Sequence, residues 1–379
     1  MFIDGEFVDS ESGETRPTIN PCTEEPIAEV PVATAGDAQR AAAAARKAFD
    51  SGVWSGMPVK ERARLLYQVV DKLRDRQDEL AQLQATDGGM AIRTAALMEI
   101  PFGIEHFRAQ VELGEQVRTY EPLPWIDSPA ISWNFVNREP IGVCAGIVPW
   151  NLPFMIAAWK IAPALIMGNC IVVKPASDTP LTALETAKVM AECGLPPGVF
   201  NVVTGPGPVV GEALCTSPLV DKVAFTGSTE TGKRVMKLAA DTVKKVTLEL
   251  GGKRPTLICD DADLSIAVDG ALFGTFFHAG QLCESGTRCF VPESIYDEFL
   301  ARALERVKTI KVGDPLDYET SMGPLISAAQ LARVTGYIEK GLAEGAKLAC
   351  GGGRPAGLSK GFFVERLVER AKHIKLGDP

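Results

Sequence analysis

The stretch IGVCAGIVPWNLPFMIAAWKIAPALIMGNCIVVKPA, Ile141–Ala176, decides the fold of this chain. Its two apolar runs, GVCAGIVPW and CIVVKPA, predict strands, and FMIAAWKIAPALIMG between them predicts a helix. The same alternation continues through LTALETAKVMAECG, FNVVTG and DKVAFTG. Apolar strands alternating with helices are typical of a parallel sheet that is covered on both faces. We therefore predict a doubly wound α/β sheet, with its ligand site at the glycine-rich strand ends.

Helices and one further strand are predicted before this stretch. The alanine-rich segment DAQRAAAAARKAFD (37–50) predicts a helix with Asp37 near its start. A second helix is predicted from about Pro58 to Thr86, where leucines and valines mark one face. After a proline-rich connector, ISWNFVN (131–137) alternates apolar and polar residues, which predicts a half-buried strand.

Composition narrows the class of protein. The chain has 379 residues, of which 46% are hydrophobic and 23% charged, so two or three globular domains are expected. A net charge of −9 argues against a nucleic-acid partner. The most apolar region (141–168) contains three prolines and Lys160, and it therefore predicts no membrane span.

Cysteine and histidine usage argues against a metal site. Nine cysteines are scattered without CxxC spacing, and the chain has only three histidines. Neither a disulfide framework nor a zinc site is indicated. A reducing compartment, and hence a cytoplasmic location, fits this usage best.

The segment FFHAGQLCESGTRCF (276–290) sets Cys283 between Gly280 and Gly286. Glycines on both sides let other groups approach the backbone, which a thiol used only for packing does not need. A nucleophile and an ordinary buried cysteine are the two alternatives. His278 is discounted as its partner because nothing local supports a hydrogen bond. Cys289, in RCFVP, is predicted to pack.

A glycine turn and a strand end provide two further candidates. In KVAFTGSTETGKRVM the glycines Gly227 and Gly232 lie where a predicted strand ends and a predicted helix begins. The backbone N–H groups at such a helix start favour binding of a phosphate, although a plain tight turn is an equal alternative. In VTLELGGK, Glu249 lies near the strand end and faces away from Leu248 and Leu250. A solvated glutamate is the ordinary alternative.

Asn151 is the third candidate, in IVPWNLPF between Pro149 and Pro153. Its amide N–H could be aimed at an oxyanion where the chain leaves a strand. The commoner alternative is a turn asparagine that bonds its own backbone.

Taken together, these segments resemble the aldehyde dehydrogenase superfamily. FTGSTETG, LELGGK and the GQ-C-GTR core around Cys283 occur in the family's order, and VPWNLP, VVKPAS and the opening FIDGEFVDSESG also fit, as far as about Glu365. The resemblance implies a Rossmann-like cofactor domain (1–116 and 138–251) and an α/β catalytic domain (252–379, incomplete). It also implies a β-hairpin arm (117–137) that serves homo-oligomerisation.

The resemblance implies a role for each matching residue. Cys283 would be the nucleophile, Glu249 the general base and Asn151 the oxyanion donor. The implied reaction is the oxidation of an aldehyde to a carboxylic acid with NAD or NADP and without a metal. The residues implied to contact the cofactor are Trp150, Lys174, Ser177, Gly207, Phe225, Gly227, Ser228, Gly232 and Leu250. At the position of Ser177 the family often has a glutamate that bonds the ribose 2′-OH, so we expect NADP to be tolerated.

The chain departs from the family's pattern at its end. The later E-I-F-G-P segment and the C-terminal strand have no counterpart, and Arg366–Pro379 repeats Arg302–Pro315 at nine of fourteen positions. We therefore expect a truncated chain with a duplicated tail segment and impaired assembly. A catalytically silent homologue that at most binds nucleotide or partners is the second hypothesis. A CoA-acylating relative is the third, which Glu249 disfavours because that chemistry needs no base for water.

Overall fold

The computed structural model describes residues 1–365 and 368–370, and the chain divides into two compact units. The first unit comprises Met1–Arg16, Val30–Gln77 and Glu99–Glu249. The second comprises Pro17–Glu29, Asp78–Met98 and the chain from Leu250 onward. The domain limits that the resemblance implies, with an arm at 117–137 and a catalytic domain from residue 252, stay a prediction.

The helices are α1 (Ala35–Asp50), α2 (Val59–Asp75), α3 (Gln77–Gly88), α4 (Ile92–Thr94), α5 (Ile100–Gln116), α6 (Pro153–Ile166), α7 (Leu181–Glu192), α8 (Glu212–Thr216), α9 (Thr229–Ala240), α10 (Leu264–Phe276), α11 (Glu293–Val307) and α12 (Ala328–Ala343). Two π-helical turns (Ala95–Glu99 and Gly207–Gly211) and one 3₁₀ turn (Phe277–Gly280) lie between them.

The strands are β1 (Phe2–Ile3), β2 (Glu6–Phe7), β3 (Thr15–Ile19), β4 (Pro26–Pro31), β5 (Tyr120–Pro122), β6 (Phe135–Asn137), β7 (Val143–Ile147), β8 (Cys170–Lys174), β9 (Phe200–Val202), β10 (Lys222–Gly227), β11 (Lys245–Leu250), β12 (Pro255–Leu257), β13 (Arg288–Phe290), β14 (Lys347–Cys350) and β15 (Val368–Arg370).

One seven-stranded sheet forms the centre of the first unit, in the order β11-β10-β7-β8-β9-β1-β2. Strands β10, β7, β8 and β9 pair in parallel, whereas β1 is antiparallel to both β9 and β2. Every residue of β7 and β8 is buried, as their uninterrupted apolar runs indicate. The predicted α/β fold class is confirmed, and the carboxyl ends of the parallel strands lie at the same edge of the sheet.

Two predicted helices can be compared with the structure. Helix α1 forms as expected, and a capping box closes its start: the Thr34 hydroxyl accepts from the Asp37 N–H, and the Asp37 carboxylate accepts from the Thr34 N–H. The single helix predicted from Pro58 to Thr86 is wrong. It is divided into α2 and α3 at Arg76, next to the point where the chain leaves the first unit at Gln77 and enters the second at Asp78.

The arm sequence forms an antiparallel hairpin in which Tyr120 of β5 lies opposite Asn137 of β6. The expectation of a half-buried strand is wrong for this chain. Trp133 is 86% exposed and Ile131 is 71% exposed. A two-stranded ribbon has two open faces, so alternation along one strand cannot bury a face by itself.

The second unit has its own apolar core. Side chains from α10 and α11, among them Val268, Leu272 and Phe299, pack together beside the parallel pair β12 and β13. Strand β14 pairs antiparallel with β15, and the rest of the repeated tail (366–379) lies outside the described residues. In the described part of the chain, no helix is long and apolar enough to cross a membrane.

Candidate functional site

The edge of the large sheet brings several of the predicted residues together. In the paired register Ile147, the last residue of β7, lies opposite Lys174 on one side and Phe225 on the other. Trp150 and Asn151 follow β7 directly, and the Trp150 carbonyl accepts a hydrogen bond from the Thr179 hydroxyl at 3.4 Å. The ends of three neighbouring strands therefore carry several of the candidate residues of this unit.

Lys174 is a buried cation at this edge. Lys174 is only 3% exposed, and its Nζ donates a hydrogen bond to the Pro175 carbonyl at 2.7 Å. Burial lowers the pKa of Lys174 to about 8, while the carboxylate of Asp178 raises it and the guanidinium of Arg16 lowers it. Because the ammonium has three N–H donors, it can still bond a ligand's hydroxyl oxygens.

A glycine-containing loop lies beside Lys174. The Ser177 hydroxyl donates to the Gly205 carbonyl at 2.9 Å. Gly205 has φ +136°, and a Cβ there would lie 3.1 Å from the Ala33 nitrogen. By contrast, a Cβ at Gly207 would meet nothing within 4 Å, so space is open where the resemblance implies cofactor contact.

The predicted GxxxxG turn does open a helix. Ser228 caps α9, since its hydroxyl accepts from the Thr231 N–H at 3.2 Å and its carbonyl accepts from the Gly232 N–H at 2.9 Å. Gly227 leaves no room for a side chain, because a Cβ would lie 2.5 Å from the Phe225 ring. A helix N-terminus, a buried ammonium and an open glycine are together suited to a dinucleotide's phosphates and ribose.

Glu249 lies near the end of β11, where exposed and half-buried residues alternate, and it is on the exposed side while Leu250 is half-buried. Lys160 of α6 is an ionisable neighbour that sequence reasoning missed. Its Nζ donates to the Thr226 hydroxyl at 2.7 Å. Burial lowers the pKa of Lys160 to about 8, and the Glu249 carboxylate acts in the opposite direction. The available signal was a single charged residue within an apolar helix.

Cys283 belongs to the second unit, where it lies exposed in a turn. The backbone around it is tightly held. The Gln281 side chain accepts from the Ile326 N–H at 3.0 Å and donates to the His278 carbonyl at 3.2 Å. A Cβ at Gly286 would lie 2.2 Å from the Thr256 hydroxyl, so only glycine fits there. The thiol is open to solvent while its loop is fixed.

The turn that leads into this loop is strained. His278 and Ala279 have φ of +48° and +57°, in the left-handed region that residues with a Cβ seldom adopt. His278 is also buried, at 5% exposed. Such conformations cost roughly 1–3 kcal/mol each and persist where surrounding contacts fix them.

Three of the nine cysteines are exposed, namely Cys259, Cys283 and Cys289. The prediction that Cys289 packs is therefore wrong. Its strand β13 pairs with β12 alone among the described strands, which leaves the outer edge open. Partial burial nevertheless raises the pKa of the Cys289 thiol.

Comparison with known proteins gives consistent matches. The aldehyde dehydrogenase family model matches residues 7–375. The betaine aldehyde dehydrogenase of Bacillus subtilis (strain 168) is 45% identical over 374 residues, which cover 97% of this chain and 75% of that protein.

Solved structures with the same fold include two bacterial proteins. The betaine aldehyde dehydrogenase of Staphylococcus aureus in complex with NAD⁺ is 41% identical, with a TM-score of 0.92 over 97% of this chain and 72% of that one. PnpE from Pseudomonas sp. WBC-3 is 40% identical, with a TM-score of 0.94 over 98% of this chain and 75% of that one. The predicted fold family is confirmed.

We expect Cys283 to be the cysteine that iodoacetamide alkylates first. It is exposed on a fixed loop, whereas the raised pKa of Cys289 leaves less of that thiol as reactive thiolate near neutral pH. Peptide mass spectrometry after substoichiometric labelling measures the order. Cys283→Ser is the control and should remove the fast phase. Faster labelling of Cys259 or Cys289 would contradict the assignment.

Proposed function

This chain belongs to the aldehyde dehydrogenase family and is an NAD(P)-dependent aldehyde dehydrogenase, and we propose that it forms carboxylic acids through a covalent adduct on Cys283. The observation that carries the proposal is the fixed loop around Cys283, which exposes a thiol instead of packing it. An exposed thiol held in one position is suited to repeated attack on a small carbonyl.

The proposed chemistry begins at the sulfur. The Cys283 thiolate adds to the aldehyde carbon, the C–S bond forms and the carbonyl oxygen takes up the negative charge. The Asn151 amide and the Cys283 backbone N–H donate hydrogen bonds to that oxygen. Once this adduct has lost a hydride from the former aldehyde carbon, it is a thioester. Glu249 then takes a proton from the water that attacks the thioester, and the C–S bond breaks to release the acid and the Cys283 thiolate.

The cofactor would be held by the first unit. We assign Lys174 to the ribose hydroxyls, the N-terminus of α9 at Ser228 to the phosphates, and the open space at Gly207 to the dinucleotide itself. When bound, the nicotinamide supplies the hydride acceptor that turns the adduct on Cys283 into a thioester. Trp150, Ser177, Phe225, Gly227, Gly232 and Leu250 complete the proposed contacts.

Lys160 supports the assignment of Glu249 as a base. The two groups interact, because the Glu249 carboxylate raises the pKa of the Lys160 ammonium against the effect of burial, and a carboxylate can accept a proton from water. A CoA-acylating enzyme transfers the acyl group to a thiol and does not need this arrangement. The same residues therefore favour hydrolysis over acyl transfer to CoA.

The exposed hairpin supports a proposal about assembly. Ile131, Trp133 and Phe135 present apolar side chains that are each more than half exposed in the single chain. The two outer edges of a two-stranded ribbon with exposed apolar side chains are suited to pairing with another copy. We propose that β5 and β6 form the arm through which this chain oligomerises.

We also propose that the chain from residue 252 forms the catalytic domain.

The function is tested by NAD(P)H formation from an aldehyde, measured at 340 nm with and without CoA. Betaine aldehyde is a suitable first substrate because two similar proteins are named for it. We expect turnover without CoA, a carboxylic acid product and no acceleration by CoA. Cys283→Ser should abolish turnover and leave nucleotide binding within about threefold. Strict dependence on CoA, or nucleotide binding without turnover, would refute the proposal.

Cofactor preference is expected to depend on Ser177. This small neutral side chain bonds Gly205 and adds no negative charge near a 2′-phosphate. Calorimetry should therefore give similar dissociation constants for NAD and NADP. Ser177→Glu should weaken NADP binding at least about tenfold relative to NAD, and the neutral control Ser177→Gln should do so much less. A wild-type preference for NAD of a hundredfold, about 2.7 kcal/mol, would show that Ser177 does not set the choice.

A further inference from the structure

Helix α6 begins without a cap from its own neighbours. Its N-cap residue Leu152 offers no side-chain hydrogen bond, and Pro153 at the first position has no N–H. The Ile156 N–H bonds the Leu152 carbonyl at 3.0 Å. The backbone N–H groups of Phe154 and Met155 therefore need acceptors from elsewhere in the chain.

Both N–H groups donate to the same carboxylate, which lies far away in the sequence. Oε1 of Glu99 accepts from the Phe154 N–H at 3.1 Å and from the Met155 N–H at 3.2 Å. Glu99 is 1% exposed and ends the π-helical turn that precedes α5. A buried carboxylate at the start of another helix accepts hydrogen bonds from the first N–H groups of that helix. Its negative charge is also favourable at the positive end of the helix dipole.

Helix α5 packs closely against the start of α6. A Cβ at Gly103 would lie 2.6 Å from the Phe154 ring and 3.1 Å from the Met155 Cα, so the two backbones are in close contact there. Glu99 immediately precedes α5, and its carboxylate is thus held by the same packed surface. The first turn of α6 is fixed by both packing and hydrogen bonds.

Helix α6 carries two groups of the proposed mechanism. Asn151, the oxyanion donor, lies two residues before Pro153 on the loop that enters the helix. Lys160 lies two turns further on, where its Nζ bonds Thr226 and its charge acts on Glu249. A shift of the first turn would move the Asn151 amide directly, whereas Lys160 has an anchor of its own.

We propose that Glu99 is a positioning residue of the reaction, which holds the first turn of α6 and thereby the Asn151 amide in the place where the oxyanion develops. This inference rests on the proposed function of Asn151 and extends it to a residue that contacts no substrate. Burial raises the pKa of Glu99 to about 7, against the two backbone hydrogen bonds that lower it. Because a protonated carboxyl retains an acceptor oxygen, an uncharged amide should replace it well.

Two substitutions separate the acceptor from the charge. Glu99→Gln keeps an acceptor oxygen, and Glu99→Met keeps the length but leaves the Phe154 and Met155 N–H groups without their acceptor. Glu105→Met, at an exposed position of the adjoining helix α5, is the matched control. In the full 379-residue chain, Glu99→Met should lower kcat by about 10- to 100-fold and change KM by less than threefold, since losing an oxyanion donor costs roughly 10²–10³ in kcat. Glu99→Gln should keep kcat within about threefold of the wild-type value, because the amide still provides an acceptor oxygen.

A double substitution tests whether Glu99 acts through Asn151. Combined with Asn151→Ala, Glu99→Met should lower kcat no more than about threefold beyond Asn151→Ala alone, because the group it positions is already lost. Multiplicative losses would overturn the proposal, and so would an unchanged kcat in Glu99→Met.

Hydrogen exchange tests the same inference without turnover. Exchange in a peptide covering residues 150–158 should accelerate by at least about tenfold in Glu99→Met and should stay at the wild-type rate in Glu99→Gln and Glu105→Met. Unchanged exchange in Glu99→Met would overturn the proposal by itself. A wild-type chain that oxidises no aldehyde would refute the proposed function instead, so the two failures are distinguishable.

Discussion

The parallel pairing of β10, β7 and β8 is the constraint on which the first unit of this protein depends. Strands β7 and β8 are buried throughout and β10 in part, so each buried backbone N–H and C=O inside the sheet needs a partner on a neighbouring strand. The register that satisfies them puts Ile147 opposite both Lys174 and Phe225. Since parallel strands end at the same edge, loops that are far apart in the sequence open side by side there.

The buried charge of Lys174 at this edge reduces the stability of the folded chain. Lys174 has a folded pKa of about 8, below the ordinary value of 10.5, which corresponds to about 3 kcal/mol against folding with the ammonium charged. The folded state binds the proton less tightly than the unfolded chain. The cost is therefore fully present below pH 8 and disappears as the pH rises towards 10.5. A buried lysine is retained at this cost where a bound ligand's oxygens can satisfy it.

The sequence predicted the elements whose signals are local. The apolar runs of β7 and β8 and the alanine-rich α1 were identified from periodicity, and Glu249 was placed near the end of its strand by alternation. The division of the helix at Arg76 was not predicted, because it depends on how the chain divides between two units. The exposure of Trp133 and Cys289 was also missed, since a strand's pattern does not tell how many neighbours the strand has.

Residues that act through contacts distant in the chain escaped sequence reasoning for the same reason. Glu99 is separated from the N–H groups it binds by more than fifty residues, as the register of α5 against α6 brings them together. Lys160 was visible only as a charge in an apolar helix, and its relation to Glu249 follows from the sheet. Cys283, by contrast, was marked as a candidate by the glycines around it, and its role as the nucleophile stays a prediction.

The proposed reaction passes through a covalent bond at Cys283. This bond can be detected by acid quenching of the chain during turnover of an aldehyde with NAD(P), followed by peptide mass spectrometry. We expect an acyl group, with the mass of the aldehyde minus one hydrogen in place of the thiol proton, on the peptide that contains Cys283. An acyl group on Cys259 or Cys289, or rapid turnover with an acyl-free Cys283 throughout the time course, would contradict it.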